Sequence, residues 1–206
     1  MRSSNRFLAI LAWVALAFTV TVPVVAAAFS PLLAWRQPVY IAAGFAGIAG
    51  MALLLIQPLL AGGYLPGLSA LQSRQIHRWT GAVLLAAVII HVAGLWITSP
   101  PDVIDALLFR SPTLFSAWGV TAMWCVFATA LLAMFRKRLG LSPRLWRLAH
   151  TGLAAIIVVG SVVHAMLIEG TMETLSKAAL CVLVIAATVK LAVDLKVWSI
   201  GMRKRV

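Results

Sequence analysis

Four histidines are the residues best suited to chemistry, and they form two equally spaced pairs. His77 and His91 lie in QIHRWTGAVLLAAVIIHVAGLW, and His150 and His164 lie in RLAHTGLAAIIVVGSVVHAMLIEG. The sequence contains no others. Each pair is fourteen residues apart on an apolar stretch long enough to cross a bilayer. That spacing is close to four helical turns, about 21 Å, so both imidazoles of a pair point to nearly the same helix face. The two helices enter from the same side, because two crossings separate their starts. The spacing therefore predicts two levels: His77 with His150 on the inside, and His91 with His164 on the outside.

Each level offers two imidazoles with no Cys, Asp or Glu beside them. Zinc needs three or four protein ligands, so it does not fit. A proton relay would include intramembrane carboxylates, and these helices have none away from their ends. Haem fits, because a porphyrin supplies four equatorial nitrogens and leaves two axial positions for facing helices. Neutral imidazole is a good iron ligand. Gly81 lies four residues after His77 and Gly160 four before His164, and small residues on that stripe would leave room for a flat macrocycle. Arg74 and Arg147 each stand three residues before an inner histidine, with Arg78 adjacent to His77. All three are candidate partners for haem propionates facing the cytoplasm. The plainer readings are loop charge for these arginines, helix packing for the glycines and hydrogen-bonded core histidines. Four equally spaced histidines on two parallel helices fit that last reading poorly. The outer level has fewer cations nearby, and its propionate partners are not assigned from the sequence.

The elements that must position these residues are membrane helices. The chain has 206 residues, 63% hydrophobic and 11% charged, with a mean hydropathy of +1.02. A soluble domain of this size would not carry so little charge. Six apolar runs, at about 7–29, 39–60, 76–97, 114–135, 146–168 and 176–197, each approach the ~20 residues that a bilayer core requires. Segments such as GGYLPGLSALQSR, TSPPDVIDALLFRSP and RKRLGLSPR break the chain between them. The fold expected is an all-α integral membrane bundle of six transmembrane helices forming one domain over 1–206. The first run resembles a signal peptide but is too long for a typical one, and is expected to stay as a helix.

Loop charge sets the orientation. With a cytoplasmic N-terminus, the inside carries fourteen cations: Arg2, Arg6, Arg74, Arg78, Arg136, Lys137, Arg138, Arg144, Arg147, Lys190, Lys196, Arg203, Lys204 and Arg205. The outside carries three, Arg36, Arg110 and Lys177, together with Asp102, Asp105, Glu169 and Glu173. This bias places both termini in the cytoplasm of a bacterial-type inner membrane. The formal net charge of +12 then reflects cytoplasmic loops, and no nucleic-acid partner is expected. Cys125 and Cys181 sit inside apolar runs and read as packing residues. GFAGIAG (44–50) follows no strand, so it reads as a close helix contact and not as a dinucleotide loop.

The residues His77-Arg78-x-x-Gly81, His91, Leu145-Trp146-Arg147-Leu148-x-His150 and His164 resemble those of the ferric reductase-like transmembrane family. That family includes iron and copper reductases, the membrane part of NADPH oxidases and the haem subunit of the periplasmic methionine-sulfoxide reductase system. The matching region runs from about 40 to 196. The resemblance implies six helices, two stacked b-type haems ligated from helices three and five, and electron flow from the cytoplasmic side to an outer acceptor. Larger members carry a flavin and nicotinamide domain after the last helix. Only about ten residues follow here, so the expected donor is a separate flavin reductase or a membrane quinol. FMN or a quinone is a further cofactor compatible with the sequence.

The leading expectation is thus a membrane electron conduit, an oxidoreductase or electron-transfer subunit that delivers electrons to ferric iron or a periplasmic redox protein. No residue is expected to act as acid or base, since two axial histidines leave no open iron site. One alternative is the membrane subunit of a two-component periplasmic reductase of the methionine-sulfoxide type. A quinol-oxidising cytochrome b is another, although the Pro-Glu-Trp-Tyr motif is missing. A non-catalytic membrane scaffold, whose histidines only pack, is the alternative from a different class.

Overall fold

A computed structural model describes residues 2–195. Lys196, Arg203, Lys204, Arg205 and the end of the sixth apolar run lie outside the described residues. Within them the chain forms seven α-helices and no strand: α1 (Arg2–Ala28), α2 (Pro38–Ala61), α3 (Ala70–Thr98), α4 (Pro100–Leu107), α5 (Leu114–Met134), α6 (Pro143–Leu167) and α7 (Thr174–Asp194). All but α4 are long and apolar enough to cross a membrane. The chain is a multi-pass membrane protein, and its outer surface carries large apolar side chains such as Phe7, Phe18, Trp79 and Val182 that suit lipid.

The helix boundaries have local causes. α3 begins at Ala70, ahead of the apolar run predicted from about 76. Ser69 and Gln72 form a reciprocal capping box there, which satisfies free N–H groups and carries the helix through a polar first turn. His77 therefore stands inside the helix, and the helix includes Arg74. α6 starts on Ser142, whose hydroxyl accepts from Leu145 N, with Pro143 at the first position. α2 ends at Gly62–Gly63, where Gly63 takes a φ of +66°.

One expectation needs correction. The segment TSPPDVIDALLFRSP, predicted as a break, contains α4. Pro100 suits a first helical turn, Asp102 favours the positive helix end, and Val103 is buried. The two prolines punctuate the chain by starting a helix.

Two helical hairpins dominate the packing: α2 lies along α3, and α5 along α6. α7 bridges them through α2 and α6, and α1 packs at the edge against α7 and α2. The core joins Met51, Leu54, Val126, Ile157, Leu180 and Val184. Cys181 is buried in it, Cys125 packs against it, and both are free thiols. α3 and α6, which carry the histidines, hardly approach each other.

Candidate cofactor site between the hairpins

The four imidazoles face one another across the space between α3 and α6. The His77 and His150 ring centroids are 6.3 Å apart, and those of His91 and His164 are 6.4 Å apart. Two imidazoles bound to opposite sides of one metal, at bonds of about 2.0–2.1 Å, place their centroids about 6 Å apart. Both couples therefore have the separation of a shared axial metal. Among the described residues no three His, Cys, Asp or Glu side chains cluster as a metal site. A metal here would need its other ligands from a non-protein group, as a porphyrin provides.

Backbone carbonyls orient three of the rings. Nδ1 of His91 bonds Ala43 O at 2.7 Å, Nδ1 of His164 bonds Phe115 O at 2.8 Å, and Nδ1 of His77 bonds Gln57 O at 3.2 Å. A carbonyl only accepts, so each Nδ1 carries the proton and each Nε2 keeps its lone pair. This is the usual arrangement for a metal-bound histidine. Nδ1 of His150 is buried without a partner among the described residues. Its ring instead stacks on Trp146, with centroids 5.0 Å apart and 14° between planes. Arg136 covers the Trp146 ring at 4.4 Å.

The His91 and His164 rings share one construction. A Cβ added to Gly47 would meet His91 at 3.0 Å, and one added to Gly119 would meet His164 at 2.6 Å. Each glycine lies four residues beyond the carbonyl that holds the ring, so the imidazole uses the space its missing side chain leaves. GFAGIAG thus has the close helix packing read from its glycines, with Gly47 backing a histidine. Gly119 and the accepting carbonyls were not singled out in the sequence, and Trp146 was named only as part of a motif, without its stacking role. The one available signal was a glycine in each helix preceding a histidine helix.

The other candidates fall elsewhere. Gly160 faces α5, where an added Cβ would come within 3.0 Å of Trp118 O and 3.1 Å of Ala122 Cβ. Gly81 faces the Gln57 side chain on α2 at 3.8 Å. Arg74, Arg78 and Arg147 are exposed, and Arg147 Nε bonds Pro143 O at 3.3 Å.

A cavity of about 560 Å³ opens beside the His91–His164 pair, bounded by those two residues, Gly47, Gly119, Asp102 and Lys177 among others. Its size is that of a cofactor site. α4 contributes part of the wall.

Residues 43–161 match the family model described as ferric reductase like transmembrane component. The chain belongs to this family. The matched segment contains His77, His91 and His150, begins at the residue whose carbonyl holds His91, and stops just short of His164. No curated protein and no solved structure matches the chain. Ferric reductase-like transmembrane domains generally bind haem, and membership points to membrane electron transfer.

Proposed function

We propose that the chain carries electrons across a bacterial inner membrane through two b-type haems, each held by a pair of histidines. The observation that carries this reading is the pair of imidazole couples with centroids 6.3 and 6.4 Å apart. His77 and His150 would hold the inner group, and His91 and His164 the outer one. When bound, a porphyrin iron supplies one-electron chemistry by alternating between ferric and ferrous states. The protein's part is positional. Carbonyls of Ala43, Phe115 and Gln57 keep the proton on Nδ1 and present Nε2. Gly47 and Gly119 let the outer rings reach those carbonyls. Lipid-facing apolar side chains keep water from the interior. Two histidines per level would hold each group, and no side chain is asked to act as acid or base.

The donor in this reading is a separate flavin reductase or a quinol, and the acceptor is ferric iron or a periplasmic redox protein. FMN or a quinone would be an additional cofactor on the donor side. Arg74, Arg78 and Arg147 stand at the cytoplasmic end, where they suit the propionates of an inner group. Both termini are cytoplasmic, and residues 1–206 act as one membrane domain.

Pyridine haemochrome analysis of the purified protein tests this, with two haems expected per chain. His91→Ala or His164→Ala should lose one of the two and keep the helical content. A wild-type protein with no reduced b-type band after dithionite would end the proposal.

A further inference from the structure

Lys177 is an unusual residue in this bundle. It is 6% exposed, in the first turns of α7 and one turn before the buried Cys181. Its Nζ donates to Ile168 O at 2.9 Å, and an ammonium has two further donors. Among the described residues the only ion pair is Lys190–Asp194, so no carboxylate meets Lys177 there. The nearby carboxylates have other work. Glu173 caps α7 through Leu175 N and Ser176 N, and Asp102 accepts from Ser99. A cation early in a helix also opposes the helix dipole. Burial of an ammonium is offset by an anion or by a full set of hydrogen bonds, and the side chains around Lys177 supply neither.

The surroundings indicate where an anion would come from. Lys177 lines the same cavity as His91 and His164. The carbonyl it bonds belongs to Ile168, whose own N–H donates to His164 O at 3.1 Å. The ammonium is therefore about one helical turn beyond the outer histidine of α6. An occupant of that cavity would be apolar over most of its body and acidic where it meets Lys177. We infer that Lys177 is the cation that receives a propionate of the outer porphyrin. This rests on the haem reading above. It gives the outer level a buried counter-charge, where the inner level has exposed arginines.

The test uses full-length protein in detergent, with haem content and potentiometric titration of wild type, Lys177→Met and Lys177→Arg. Removing the positive charge disfavours the ferrous state. Lys177→Met should therefore lower the midpoint potential of one haem, the one absent from His91→Ala, and leave the other unchanged. Lys177→Arg should restore it. Full haem content with both midpoints unmoved in Lys177→Met overturns the role of Lys177 while leaving the conduit intact. Absence of haem in wild type overturns the conduit, and this inference with it. Should Lys177→Met fail to accumulate, Lys177→Arg alone decides. Its redox-difference infrared spectrum should shift a propionate carboxylate band, and an unshifted spectrum overturns the assignment.

Discussion

Gly47 and Gly119 leave the space that the His91 and His164 rings occupy in the proposed outer site. At Gly119 a methyl group would sit 2.6 Å from Nδ1 of His164, where the ring now bonds Phe115 O. Gly119→Ala should break that bond, and loss of such a partner weakens metal binding by about 10–100-fold. The expected result is a chain of unchanged helicity that loses its outer haem on dilution. Gly47→Ala should do the same more mildly, because the distance there is 3.0 Å. At the inner level, Trp146→Ala removes the face on which His150 rests. An aromatic stack of this kind contributes about 0.5–1.5 kcal/mol, so inner haem retention should fall while the outer haem stays; haemochrome content against detergent concentration measures both. The four histidines were legible in the sequence because their spacing matches helical turns. The glycines were not, since nothing in one helix says which residue of a neighbouring helix its side chain will touch.

The element that recurs is a hairpin. In each, a glycine on the histidine helix brings the two backbones together near the accepting carbonyl. An added Cβ at Gly94 would lie 2.7 Å from Ala43 Cβ, and one at Gly160 would lie 3.0 Å from Trp118 O. Gly160→Leu should therefore overpack the α5–α6 contact at a cost of about 1–3 kcal/mol. Gly152→Leu, at a position with nothing within 4 Å, should leave thermal unfolding in detergent unchanged or raise its midpoint. The loop after α2 is tied to the far end of α7 by Tyr64, whose hydroxyl donates to Asp194 at 2.5 Å. Burial first, and then Asp194, push the Tyr64 phenol up to about 12. A raised tyrosine stabilises the fold fully below its unfolded value near pH ~10, and that contribution is lost as pH rises through about 12. An ultraviolet phenolate titration should show this late tyrosine, and Asp194→Asn should bring it down. The six long helices were readable from hydropathy alone. α4 was not, because eight residues of mixed polarity look like a loop until Val103 is seen to be buried.

At the scale of the molecule, cation placement carries the proposed topology. Arg136, Lys137 and Arg138 lie in the α5–α6 connection and Arg144 in the first turn of α6, at the end that the positive-inside rule assigns to the cytoplasm. Reporter fusions in that connection should be active only as cytoplasmic enzymes. Fusions between α4 and α5 should be active only as exported ones. An inverted pattern would reverse the direction of electron flow proposed above. Family membership does not depend on this result.

The backbones of α3 and α6 hardly meet, although their side chains converge on shared centres. The two hairpins are thus tied mainly by α7, and under the proposed function what they would have in common along their facing sides is a porphyrin guest. A newly inserted chain starved of porphyrin would have no wedge to hold those sides apart. It should be cleared by membrane proteases faster than the same chain made in porphyrin-replete cells, so pulse-chase lifetimes should track iron and porphyrin supply.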